Sequence, residues 1–128
     1  MRLGFVIAPT SQLADSIREV QPRWSVNALA LAALPELLEL TDLPRWSEDI
    51  RALRAQFMSH LVELGFVVHD THVNWLLVHR EGLREALAPH RVLVRDCTSF
   101  GLDGIARVAL PHPAQMEDVL RAFEIVRP

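Results

Sequence analysis

Apolar positions along this chain change their spacing midway. Leu3–Ala8, LGFVIA, is a continuous apolar run ended by Pro9, the pattern of a short buried strand. Thr10 or Ser11 can cap a helix over 11–20 that places Leu13, Ile17 and Val20 on one face. After the connector QPRWSVN, Ser25 is placed to cap an alanine- and leucine-rich helix from Val26 to about Leu34, which Pro35 kinks or restarts. A long helix over about 44–64 follows, with Ile50, Leu53, Phe57, Leu61 and Leu64 on one stripe and Gly65 as its stop. From there the runs shorten. GFVVHD (65–70) and VNWLLVHR (73–80) predict strands, EGLREALAPH (81–90) a short helix, and 92–96 and 105–110 two further strands. Residues 112–126 close as an amphipathic helix through Met116, Val119, Leu120 and Phe123. The predicted order is strand, three helices, two strands, helix, two strands, helix. That predicts an α/β fold, a small sheet covered by helices. The strand at 3–8 stands more than fifty residues from the next and is expected to belong to a different sheet.

Two arginines interrupt this scheme. Arg95 in VLVRDC and Arg107 in IARVAL lie in strands that otherwise read as buried. A guanidinium keeps its charge at any ordinary pH and is rarely buried without a partner. The plain expectation is an ion pair with Asp96, Asp103 or Asp118. The functional one is a bound carboxylate or phosphate, which bidentate arginine recognises well. Asn74, inside VNWLLV, is likewise expected to need a buried partner for its amide.

Composition narrows the function classes. The 128 residues carry a formal charge of −3, and all 13 cationic Lys+Arg positions are arginine. The arginines are scattered rather than striped, which argues against a nucleic-acid surface. Ala28–Leu40 is too short and too interrupted to span a bilayer, and the first residues lack the pattern of a secretory signal. One cysteine excludes an internal disulfide framework and fits a cytoplasmic setting. His69-x-x-His72 needs a third metal ligand, which Cys97 or Asp96 could supply only by chance of folding, and reads as a polar turn. Cys97 reads as a small core hydrophobe, and Ser25 has no nucleophile elbow around it. Trp24, Trp46 and Trp75 are expected in the core or at an interface.

Three stretches carry a resemblance: WSVNALALAAL (24–34), VNWLLV (73–78) and VLVRDCTSFGLDGIARVAL (92–110). Together they resemble the C-terminal part of fold-type I, pyridoxal-phosphate-dependent aminotransferases of class I/II. The nearest branches are threonine-phosphate decarboxylase and histidinol-phosphate aminotransferase. The opening RLGFVIAP resembles the strand that follows the cofactor lysine in those enzymes. The resemblance implies a remnant of the large cofactor-binding domain over 1–21 and the C-terminal small domain over 22–128. It implies that Arg2 contacts the cofactor phosphate, that Arg107 grips the substrate carboxylate, and that Arg95 and Asn74 lie near the substrate. The implied ligand is an amino acid or an amino-acid phosphate, and the implied partner a large-domain chain or a second copy.

Departures from the family pattern qualify these expectations. The family's Schiff-base lysine precedes the position of Arg2, and no lysine occurs at any of the 128 positions. This chain is therefore not expected to hold the cofactor covalently or to react alone. Asp103 and Ala106 replace a proline and a bulkier apolar residue of the family turn, and Pro111 and His112 its usual polar continuation. Two other readings remain open: a free-standing α/β module that binds a small anionic metabolite through Arg95 and Arg107, and a remnant without function.

Overall fold

A computed structural model describes residues 3–128, which fall into two compact units divided between Leu43 and Pro44. Arg2 lies outside the described residues.

The first unit contains two helices. Helix α1 (Ser11–Val20) is capped by Thr10, whose hydroxyl accepts from Leu13 N at 3.3 Å. Helix α2 (Ala28–Glu39) is capped by Asn27, whose side chain accepts from Ala30 N at 2.8 Å. The cap is thus Asn27 and not Ser25, whose hydroxyl instead accepts from the Gln21 amide at 2.7 Å. Pro35 sits inside α2 rather than ending it. Residues 3–8 do not form the buried strand that their apolar run predicts. They pair with no neighbour, and Phe5, Val6 and Ile7 are 88%, 74% and 84% exposed. A strand is held by its ladder, and among the described residues none is offered to this run. The run joins no sheet among the described residues, so the expected strand of a second sheet is not formed.

The second unit is a four-stranded antiparallel sheet with helices over one face. Helix α3 (Leu43–Glu63) leads into β1 (Val67–His69) through Gly65, whose φ of +91° suits a residue without a Cβ. Strand β2 (Trp75–His79) follows a five-residue polar turn, as read from the His69–His72 stretch. Helix α4 (Leu83–Leu87), β3 (Arg95–Asp96), β4 (Ile105–Ala109) and α5 (Met116–Ile125) complete it, with 3-10 turns at Ala88–His90, Thr98–Phe100 and Pro113–Gln115. The sheet order is β1-β2-β4-β3. Only Arg95 and Asp96 of the predicted strand 92–96 join the ladder.

Strand alternation sorts the two faces. Leu76 and Val78 of β2 and Ala106 and Val108 of β4 point inward. They meet Phe57 and Leu61 of α3, Leu83 and Leu87 of α4, and Phe123 of α5. Phe123 is the hub: its ring stands edge-on to Phe57 at 6.0 Å and to Phe66 at 5.4 Å. This core fixes the sheet, and the sheet fixes what its other face presents.

Candidate functional site

The opposite face of the sheet carries Trp75 and Leu77 from β2, Arg107 from β4 and Arg95 from β3. Both arginines are exposed, so they do not interrupt buried strands: they occupy the alternate, outward positions of strands buried on one side only. Leu77 pairs with Arg107, and Arg107 with Arg95, so the three form one row across three strands. Directly opposed residues of antiparallel strands have Cβ atoms about 5 Å apart, and like charges there repel.

The two side chains separate by leaning to opposite ends of the strand pair. The Arg107 guanidinium lies 5.8 Å from the ring of Trp75, which pairs with Ala109 on the near side of β2. The Arg95 guanidinium lies 5.4 Å from the ring of Phe100 and donates to the Ser99 hydroxyl at 3.3 Å. These stacking contacts orient the cations without neutralising them. Among the described residues neither arginine has a carboxylate within ion-pair distance, so the expected pairing with Asp96, Asp103 or Asp118 is not formed.

Asp96 is nevertheless near. Its carboxylate accepts from Thr98 N at 3.0 Å. That bond, and one from the Thr98 hydroxyl, hold its pKa below the ordinary value of 3.8 against the opposing effect of burial, with Arg84 and Arg95 adding smaller shifts the same way. Arg84, Arg95, Asp96 and Ser99 line an open cavity of about 560 Å³ at the edge of the sheet.

Asn74 is not inside a strand. It is exposed at the last position of the β1–β2 turn, so its amide needs no buried partner; its backbone carbonyl accepts from Leu110 N at 3.0 Å and closes the end of the β2–β4 ladder. Sequence reasoning missed Arg54. Its side chain is only 11% exposed, and its Nε donates to Asp70 Oδ1 at 3.0 Å. Trp24 and Trp46 are exposed and lie outside the core, whereas Trp75 is half-buried beneath Arg107. Cys97 is buried, as a small core hydrophobe should be, and among the described residues no three His, Cys, Asp or Glu side chains converge as metal ligands. No helix among them is long and apolar enough to cross a membrane.

An open face with two aromatic-backed, unneutralised guanidiniums is chemistry for an anion. The model of aminotransferase class I and II matches residues 1–123. The chain belongs to the class I and II aminotransferase family. Histidinol-phosphate aminotransferase of Rhodospirillum centenum is 34% identical over 96% of this chain and 36% of its own length. Threonine-phosphate decarboxylase of Salmonella typhimurium is 33% identical over 98% and 37%. The crystal structure of histidinol-phosphate aminotransferase from Clostridium acetobutylicum superposes with a TM-score of 0.69 at 26% identity, covering 91% of this chain and 38% of that one. This aminotransferase-family chain thus spans little more than a third of the length of the relatives it matches.

Aminotransferases generally use pyridoxal phosphate. The described residues do not by themselves fit that cofactor. They include no lysine to bind its aldehyde, and the aromatic rings beside the arginines, Trp75 and Phe100, are already stacked on guanidiniums.

Proposed function

We propose that this chain is the small-domain portion of a pyridoxal-phosphate-dependent enzyme of the histidinol-phosphate aminotransferase or threonine-phosphate decarboxylase type, and that it holds the anionic groups of an amino-acid phosphate. In this reading Arg107 takes one anionic group and Arg95 the other, with Asn74 at the rim. Residues 1–21 belong with the large cofactor domain, where Arg2 contacts the cofactor phosphate, and 22–128 form the small domain. The lysine comes from outside these residues, on a large-domain chain or in a dimer, in a cytoplasmic setting. The observation that carries the reading is the opposed Arg95–Arg107 pair, two cations held apart by aromatic rings with no carboxylate to neutralise them.

Arginine binds carboxylate and phosphate through two parallel N–H bonds, a geometry that lysine cannot copy. The division of labour is therefore physical: these residues bind and orient the substrate, and do no proton transfer. The test mixes this chain with a polypeptide carrying the large domain and its lysine, and follows the cofactor's visible absorbance on addition of phosphothreonine or histidinol phosphate. A cofactor band in the mixture, perturbed by substrate with wild-type chain but not with Arg107→Ala, is expected. A band that responds equally to substrate with Arg107→Ala would defeat the assignment. Binding of phosphothreonine by this chain with no effect of any large-domain partner would favour the non-catalytic reading, which the absence of lysine from all 128 positions supports.

A further inference from the structure

The turn between β1 and β2 is tied down more firmly than a surface turn requires. Arg54 projects from the middle of α3, one turn before the fully buried Phe57 and two before Leu61. Its Nε donates to Asp70 Oδ1 at 3.0 Å and one of its terminal nitrogens to the Val73 carbonyl at 3.4 Å. Asp70 Oδ1 also accepts from Thr71 N at 2.8 Å, and the Thr71 hydroxyl donates to the Trp75 carbonyl. The chain of bonds therefore runs from the core helix, through Asp70, Thr71 and Val73 of the turn, to the residue whose ring lies beneath Arg107.

We propose that Arg54 is a positioning residue for the anion site: by clamping residues 70–73 it sets Asn74 and the Trp75 ring, and through that ring the direction of the Arg107 guanidinium. This rests on the anion-binding reading above. A guanidinium is seldom taken this far out of water unless it is paired, and here both of its recorded acceptors belong to one turn. Closing a five-residue turn does not require a long-range ion pair sixteen residues away in sequence. The ladder already holds the backbone of Asn74 and Trp75 at the exit of that turn, and the ion pair adds a hold on the segment that leads into them.

The test measures binding of inorganic phosphate to the full chain by two-dimensional NMR, in the wild type, Arg54→Ala, Arg54→Lys, Asp70→Asn and Arg107→Ala. Arg54→Ala is expected to weaken phosphate binding about tenfold, as misplacing a contact by an ångström can cost more than that. It should also shift the Trp75 indole signal while leaving the methyl signals of Leu76 and Val78 in place, which a general loss of structure would not do. Arg54→Lys, keeping the charge but not the fork, should recover part of the affinity. Asp70→Asn, on the exposed side of the pair, should fold whatever Arg54→Ala does and weaken binding less. Wild-type affinity in Asp70→Asn and in a folded Arg54→Ala, with binding lost in Arg107→Ala, would overturn the positioning role alone. Undiminished binding in Arg107→Ala would overturn the anion site itself, and the positioning role with it.

Discussion

Arg95 and Arg107 face each other across a strand pair, so each position's chemistry depends on small local devices around it. One is Asp96, whose carboxylate is held low mainly by the Thr98 amide and hydroxyl. A depressed folded-state pKa contributes stability above the ordinary value of 3.8 and loses it as pH falls through the lower folded value. Asp96→Asn should therefore be less stable than the wild type near neutral pH, and the two should converge in urea midpoint as the pH falls through the lowered value of Asp96. Midpoints that stay apart in acid would refute that account. Gly104 is another such device: with φ at +69°, an added Cβ would stand 3.2 Å from the His79 ring, so Gly104→Ala should cost about 1–2 kcal/mol in the same assay. The arginines were legible as anomalies because charge stands out among valines. Their outward direction was not, because Ile105 and Ala109 are apolar and also lie on the alternate positions that Arg107 shares, which hides the period of two. Arg54 left no signal in a one-dimensional reading, since its acceptor lies sixteen residues on, across a helix end and a strand.

Among the elements, the long periodic ones were read correctly and the short ones only in part. Helix α3 follows the stripe of Phe57 and Leu61 that its spacing announces, and α5 presents Met116 and Phe123 inward. The strand expected over 92–96 shrinks to two residues because continuous apolar character gives no sign of where pairing stops. The helices matter to the site because they fix the sheet's buried face. Phe123→Ala removes the ring that meets both Phe57 and Phe66, and should cost roughly 3–5 kcal/mol by leaving a cavity between α5, α3 and the sheet. A loss below about 1 kcal/mol in unfolding free energy would mean that the core refills the space. Helix α2 is different in kind. Its leucines 29, 31, 37 and 38, with Leu40 at its C-cap, are exposed and form an apolar surface.

For the chain as a whole, the same imbalance recurs at residues 3–8, where Phe5, Val6 and Ile7 stand in solvent without strand partners. An unpaired apolar run is a template for pairing with another chain. The isolated polypeptide should self-associate as its concentration rises, and Phe5→Ser with Val6→Ser and Ile7→Ser should reduce this in sedimentation velocity runs. Equal behaviour of both proteins would place the association elsewhere, α2 being the next candidate. The composition of an apolar hexapeptide reads as buried whether or not anything is there to bury it; only the family resemblance, which assigns the run to the sheet of the large domain, leaves it without neighbours among these residues. At the site, the two halves of the arginine pair are anchored unequally. Arg107 sits in the middle of a five-residue strand bonded on both sides, whereas Arg95 hangs on a two-residue strand at the sheet's edge, beside an exposed Leu93. Edge segments with few ladder bonds open at low free-energy cost. In the proposed reading, a ligand gripped between them would thus meet one fixed jaw and one that yields, a holder expected to tolerate ligands of different length and to discriminate by the end that Arg107 receives.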